Sequence, residues 1–176
     1  DCLSIVEVCH YKQGALVINI FTMYRQELAR LQIFQGLSPS ELELVDSIAE
    51  HVHLPKNQTI FEQGQRASHL YILQEGRVVI RFKPYDGPAL VVARIEPGGV
   101  FGWSAALHRD IYTSGAAAET DSQAFCIPAA SLYWLCDQCP DTGNVVLQRL
   151  AKVVSERLRS THTPILNILR QGVDEP

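Results

Sequence analysis

Residues able to do chemistry fall in few places along this 176-residue chain. The first is Phe101-Gly102-Trp103-Ser104-Ala105, followed a short distance on by Tyr112-Thr113-Ser114. A glycine between aromatics lets the backbone approach a bound molecule closely, and an aromatic wall beside backbone N–H groups makes a small-molecule site. The second is Cys136-x-x-Cys139. Zinc would need a second cysteine pair or a histidine motif at metal spacing, and neither occurs. A redox thiol would need a lowered pKa at a helix start, so the pair reads as two buried or incidental thiols. The third is His51-x-His53. A metal enzyme built in a β-barrel would need a carboxylate and a further histidine inside the barrel, and these are missing at strand spacing. No Gly-x-Ser-x-Gly elbow or His-Glu-x-x-His occurs either. The expectation is a binding site, with no catalytic residue, metal or cofactor.

Composition sets the outer limits. Hydrophobic residues make up 47% and charged residues 19%, a globular balance. The net charge of -4 gives no overall field that would draw in nucleic acid or an acidic membrane. Arg149, Lys152, Arg157 and Arg159 could form a local basic patch, although a solvated helix face is the better account. Five cysteines, an odd number without a secretory leader, suggest reduced thiols and a cytoplasmic location. The single methionine is Met23, and residues 1–22 are read as an extension ahead of the native start. Their apolar run Gly14–Phe21 is too short to span a bilayer and lacks the basic flank and cleavage site of a signal peptide.

The elements that must position the site follow from periodicity. Leu28, Leu31 and Phe34 are spaced as on a helix, predicted over Tyr24–Phe34 with Gly36 closing it. Ser38-Pro39-Ser40-Glu41 then predicts a capping box: Ser38 as cap, Pro39 in the first position, Glu41 three residues on. The helix it opens carries Leu42, Leu44, Val45, Ile48 and Ala49. From Val52 to Ile127 the pattern changes to about eight short β-rich runs between turn residues, which predicts a sandwich, jelly roll or small barrel. Helix returns at Ala129–Cys136. A longer helix opens at Pro140-Asp141, with Val146, Leu147, Leu150, Val153, Val154 and Leu158 in a stripe. Pro164 is expected to break or restart it.

Several runs carry a likeness. Phe34-x-Gly36-Leu37-Ser38, Leu54-Pro55-x-x-x-x-Ile60-Phe61-x-x-Gly64, Leu70-Tyr71-Ile72-Leu73-x-x-Gly76-x-Val78 and Pro97-Gly98-x-x-Phe101-Gly102 occur in that order. With the helix–strand–helix sequence, this resembles the cyclic-nucleotide-binding domain superfamily over about residues 26–160. The resemblance implies an eight-stranded jelly-roll (double-stranded β-helix) barrel, flanked by N-terminal helices and a long C-terminal helix. It implies a phosphate cassette beginning at Gly102, with a short helix over Ser104-Ala105-Ala106-Leu107 whose N–H groups face the ligand. The family's ribose-binding glutamate falls at Trp103 and its phosphate-binding arginine at Tyr112, while Thr113 keeps the hydroxyl that follows. His108 and Arg109 could supply a cation from another backbone position. Loss of the arginine removes a contact of about 1.5–3 kcal/mol, which argues against ordinary cAMP or cGMP binding.

The expected organisation is an extension at 1–22, helices at 23–50, the jelly roll at 51–128 and helices at 129–172. The expected function is a regulatory, sensory domain that binds a small ligand, a cyclic nucleotide or another anion, in the barrel and signals through its C-terminal helix. The ligand site comprises Phe101, Gly102, Trp103, Ser104, Ala105, Arg109, Tyr112 and Thr113. The competing account is a barrel plugged by the Trp103 indole, with Tyr112 a core aromatic whose hydroxyl finds a local partner, acting as an interaction or dimerisation module. A homodimer through residues 141–160 is expected. With only residues 161–176 after that stretch, DNA binding by this chain alone is not expected.

Overall fold

The computed structural model describes residues 26–85 and 87–171, with side chains described as far as Glu156. The predicted extension at 1–22, with Cys2, Cys9 and His10, lies outside the described residues, as do the side chains of Arg157, Leu158 and Arg159.

Residues 26–30 form a short helix, α1. It stops sooner than the spacing of Leu28, Leu31 and Phe34 predicted. Leu31 and Phe34 donate their N–H groups to the carbonyls three residues back, at 3.0 and 2.8 Å. Those tight turns bring Ile33 and Phe34 down into the core. Helix α2 spans Pro39–Ile48 and has the predicted capping box. Ser38 N–H donates to Glu41 Oε2 at 2.7 Å, and Glu41 N–H donates to Ser38 Oγ at 3.3 Å.

Eight strands follow: β1 Glu50–Leu54, β2 Thr59–Phe61, β3 His69–Glu75, β4 Val78–Phe82, β5 Leu90–Ile95, β6 Val100–Phe101, β7 Gly115–Ala118 and β8 Ser122–Pro128. They form two antiparallel four-stranded sheets, ordered β1-β8-β3-β6 and β2-β7-β4-β5. This is the jelly roll, built as two facing sheets rather than one closed barrel. Strand β6, two residues long, is the one element too short to leave a β pattern in the sequence.

The central strands β3 and β8 are buried on both faces, and this explains their nearly unbroken apolar runs. Leu70 and Ile72 of β3, with Phe125 and Ile127 of β8, join a core shared with the helices. Tyr71 and Leu73, with Ala124, turn the other way into the space between the sheets. The period of two thus divides one pair of strands between two cores.

Helix α3 (Ala129–Gln138) buries Leu132 and Leu135. Helix α4 runs Pro140–Gln171. Pro164 does not interrupt it: one missing donor and a local distortion are tolerated in a long helix. The α3–α4 elbow is tight, since a Cβ on Gly143 would lie 2.6 Å from Cys136 Cα. The helix stripe is divided, with Val146 and Leu150 fully buried in the shared core while Leu147, Val153 and Val154 pack at its margin. Cys126 and Cys136 are free thiols. Cys139 is disulfide-bonded, which corrects the expectation of reduced thiols for that residue. No helix among the described residues is long and apolar enough to cross a membrane.

Candidate functional site

Phe101 ends β6, where Tyr71 of β3 is its register partner. The chain then turns at Gly102, with φ +74°. A Cβ there would lie 2.8 Å from the His69 carbonyl oxygen and 3.1 Å from the Tyr71 ring. This glycine therefore serves a close approach to the protein's own backbone, where the sequence had suggested close approach to a ligand. From Trp103 to His108 the chain makes consecutive turns, and the expected helix over Ser104–Leu107 does not form. Only Leu107 N–H closes an α-type bond, to Trp103 O at 3.1 Å; Arg109 N–H already reaches back five residues to Ser104 O. His108, at φ +53°, closes the segment, so the aligned N–H groups of a true helix start are not in place.

Tyr112 comes next. Its backbone is tied to the β2–β3 connection: Tyr112 N–H donates to Gln65 O, and its carbonyl accepts from Gly64 N–H, both at 2.9 Å. This directs its ring between the sheets, 3.8 Å from the Phe61 ring and nearly parallel to it. Tyr71 stacks on Phe101 at 5.0 Å, and Phe61 lies 5.9 Å from Tyr71. Four aromatics from both sheets and the cassette thus form one packed column. The Tyr112 hydroxyl donates to His69 O at 2.8 Å and accepts from His69 N–H at 3.0 Å. Burial pushes its pKa up, although the hydrogen bonds from the His69 backbone oppose the shift.

What remains is a cavity of about 30 Å³, lined by Phe101, Gly102, Trp103, Ser104, Tyr112 and Thr113, with Phe61, Ile80 and Ser114. It has room for a water or two, against the ~300–1,000 Å³ of ordinary ligand sites. No lining residue is charged. Ser104, Thr113 and Ser114 supply hydroxyls, and Ala105 is buried beside it. Six of the eight expected site residues line this one cavity. Arg109 does not: it lines a separate groove beside α3. Trp103, a site residue in the first account and the plug in the competing one, lines the cavity and also packs at the edge of the helix-side core. The ring that fills the interior is that of Tyr112.

The sequence reading missed Tyr133. Its hydroxyl donates to the Ala105 carbonyl, so α3 is hydrogen-bonded directly to the cassette wall. Its ring also stacks on His108 at 3.8 Å. The only signal in the sequence was a tyrosine on the polar side of the Leu132–Leu135 spacing.

The two free thiols among the described residues, Cys126 and Cys136, are held toward the protonated form. Burial pushes Cys126 up to about 11 and raises Cys136 as well. No cluster of three or more His, Cys, Asp or Glu suited to a metal occurs among the described residues.

Two facing sheets, a turn-rich cassette after β6, and a helix pair hydrogen-bonded to that cassette define a jelly-roll domain with flanking helices. The profile of the cyclic nucleotide-binding domain matches residues 51–139, and the chain belongs to that family. It is a Crp/Fnr-like regulatory domain of signal transduction. It is 28% identical over 143 residues to a CRP-like cAMP-activated global transcriptional regulator of Mycobacterium tuberculosis, covering 81% of this chain and 62% of that protein. It is 30% identical over 152 residues to the acetyltransferase Pat of Mycolicibacterium smegmatis, covering 83% of this chain and 42% of that protein. The chain thus spans less than two thirds of the length of these relatives. The solved cyclic nucleotide-binding domain of Methylobacillus flagellatus superposes with a TM-score of 0.74 at 19% identity, over 85% of this chain and 84% of that one, a likeness of fold.

Proposed function

We propose that this chain is a sensory module whose barrel takes a small ligand when Tyr112 leaves its place, and that α3 and α4 carry the change outward. The observation that carries this is the hydrogen bond from Tyr133 of α3 to the Ala105 carbonyl of the cassette. A ligand that displaced Tyr112 would move the cassette, and α3 would have to follow or break that bond. The tight α3–α4 packing at Gly143 would pass the motion on. Residues 51–128 are then the sensing unit and 129–172 the output. The uncharged cavity favours an uncharged or weakly charged small molecule, with cyclic nucleotides binding without an arginine clamp.

A second reading has its own observation. A 30 Å³ cavity and a doubly hydrogen-bonded Tyr112 suit a permanently filled barrel serving as an interaction module. A thermal-shift screen of cAMP, cGMP, other small anions and neutral aromatics separates the two. A ligand at 100 times its dissociation constant adds about 2.7 kcal/mol to stability, and Trp103 and Trp134 report the cassette and α3 by fluorescence. No shift with any compound, in the wild type or in Tyr112→Ala, favours the filled barrel.

The remaining assignments are proposals with their own tests. A homodimer through 141–160 would use the half-buried Leu147 and Val154, since Leu150 is already in the core; sedimentation of a monomer at micromolar concentration refutes it. The module itself is proposed to be neither an enzyme nor a DNA reader. A cytoplasmic location suits the free Cys126 and Cys136 but not the Cys139 disulfide, and cell fractionation decides it.

A further inference from the structure

The cation expected near the ligand is present, but outside the barrel. Arg109 lines a groove of about 990 Å³ that shares no residue with the barrel cavity. Arg66, Ser68, His69, His108 and Tyr133 line it as well. The two arginines belong to different segments, the β2–β3 connection and the end of the cassette. Backbone pairing joins these segments: Arg66 bridges to Ile111, and Ala67 N–H donates to Asp110 O at 2.9 Å. The two arginine-bearing segments are therefore held side by side, and both arginines are exposed. Neither guanidinium forms an ion pair with a described residue. Asp110 is the one carboxylate on the groove. On the opposite wall α3 begins at Ala129 with no acidic residue in its first turn and no side-chain cap. His108, held in the left-handed conformation, stacks on Tyr133 and gives that wall an aromatic surface.

We propose that this groove is a binding site for a small phosphate-bearing organic anion. Arg66 and Arg109 are its charge partners, because guanidinium forks match phosphate oxygens. His69 and Ser68, bonded to each other at 2.8 Å, supply further polar contacts. The site is coupled to the barrel through His69, whose backbone holds the Tyr112 hydroxyl from both sides. An anion that shifts His69 would tighten or loosen that hold. Binding in the groove stands independently of whether the barrel opens.

The test uses the full chain, with inorganic pyrophosphate and AMP as probes at low ionic strength. Affinity is measured by calorimetry and location by the imidazole NMR signals of His69 and His108. The expected result is saturable binding that moves both imidazole signals. The double variant Arg66→Gln/Arg109→Gln should bind at least tenfold more weakly. It should melt like the wild type, because the arginines are exposed. Lys56→Gln, an exposed cation elsewhere, should bind within twofold of the wild type. Absence of saturable binding, equal affinity in the double variant, or equal weakening by Lys56→Gln overturns the proposal. So does binding that moves the Trp103 indole signal and leaves the two imidazoles still, because it would place the anion in the barrel.

Discussion

Replacing Tyr112 with phenylalanine removes one oxygen and nothing else from the aromatic column. That oxygen is both donor to the His69 carbonyl and acceptor from the His69 N–H, in a residue only 2% exposed. Each net hydrogen bond is worth ~0.5–1.5 kcal/mol, and an orphaned buried partner pushes the loss toward the upper end. Two bonds then give about 2 kcal/mol, or roughly 4–8 °C in Tm for a chain of this size. Tyr112→Ala also removes the ring stacked on Phe61, a truncation of the ~3–5 kcal/mol kind, against a total stability on the order of 5–15 kcal/mol. The binding consequence runs the other way. A ligand that takes the place of Tyr112 must first offset its burial, ~1.5–3 kcal/mol, and its hydrogen bonds. The wild type thereby loses roughly 4 kcal/mol of apparent affinity, close to three decades. Tyr112→Ala should therefore bind the barrel ligand about 10²–10³-fold more tightly, and saturating ligand should restore part of its Tm. Thermal melts followed by circular dichroism, with and without ligand, measure both effects. A Tyr112→Phe variant within ~0.5 kcal/mol of the wild type would refute the account of the hydrogen bonds. Equal affinity in the wild type and Tyr112→Ala would refute the account of the gate.

Gly102→Ala forces a side chain into the left-handed region, 2.8 Å from the His69 oxygen; the strain of ~1–2 kcal/mol plus the clash should lower the urea midpoint by at least that equivalent. Tyr133→Phe loses the bond to Ala105, costs about 1 kcal/mol, and should weaken any ligand-dependent change in Trp134 fluorescence. Burial holds His51 below the ordinary imidazole value, with the Glu27 charge and a Gln74 hydrogen bond acting the other way. The unfolded chain then binds that proton more readily than the folded one, so the contribution is full above ~6.5 and is lost as pH falls through the lower folded value. Tm should decline from about pH 7.5 to about pH 5.5, and His51→Gln should flatten the decline.

Local chemistry made much of the fold legible. The Ser38–Glu41 capping box depends on three neighbouring residues, and it forms as its spacing requires. Seven of the strands are bounded by turn residues that the sequence displays. Gly76, at φ +85°, sits where a Cβ would strike Ser122. The features that were not legible depend on partners far away in the chain. The short β6 exists because β3 offers Tyr71 and Ile72 as register partners. The cassette forms turns rather than the expected helix, with Ala105 and Ala106 buried and His108 stacked on Tyr133, a residue 25 positions further along the chain. Arg109 faces the groove because the Arg66–Ile111 bridge fixes its segment there. Sequence distance to Arg109 said only that it was close to the cassette, not which side of the wall it would take.

A tyrosine rather than an arginine at position 112 has a consequence for the empty state. An arginine at this place would put a guanidinium against Phe61 and Tyr71, in a space lined by no carboxylate. Such a buried, unpaired charge costs several kcal/mol until an anion arrives, so the domain would depend on its ligand for full stability. Tyrosine gives the opposite arrangement. Its one polar atom is satisfied twice by the His69 backbone, its ring completes the aromatic column, and the interior is packed without a guest. A ligand for this barrel must then outcompete an internal side chain rather than neutralise a waiting charge. Its recognition should rest on apolar contact and hydrogen bonds to the Ser104, Thr113 and Ser114 hydroxyls, and its affinity should change little with salt. Binding in the Arg66–Arg109 groove should weaken steeply as ionic strength rises, since exposed charge pairs are screened. A salt titration of each binding event therefore tells the two sites apart without any mutation.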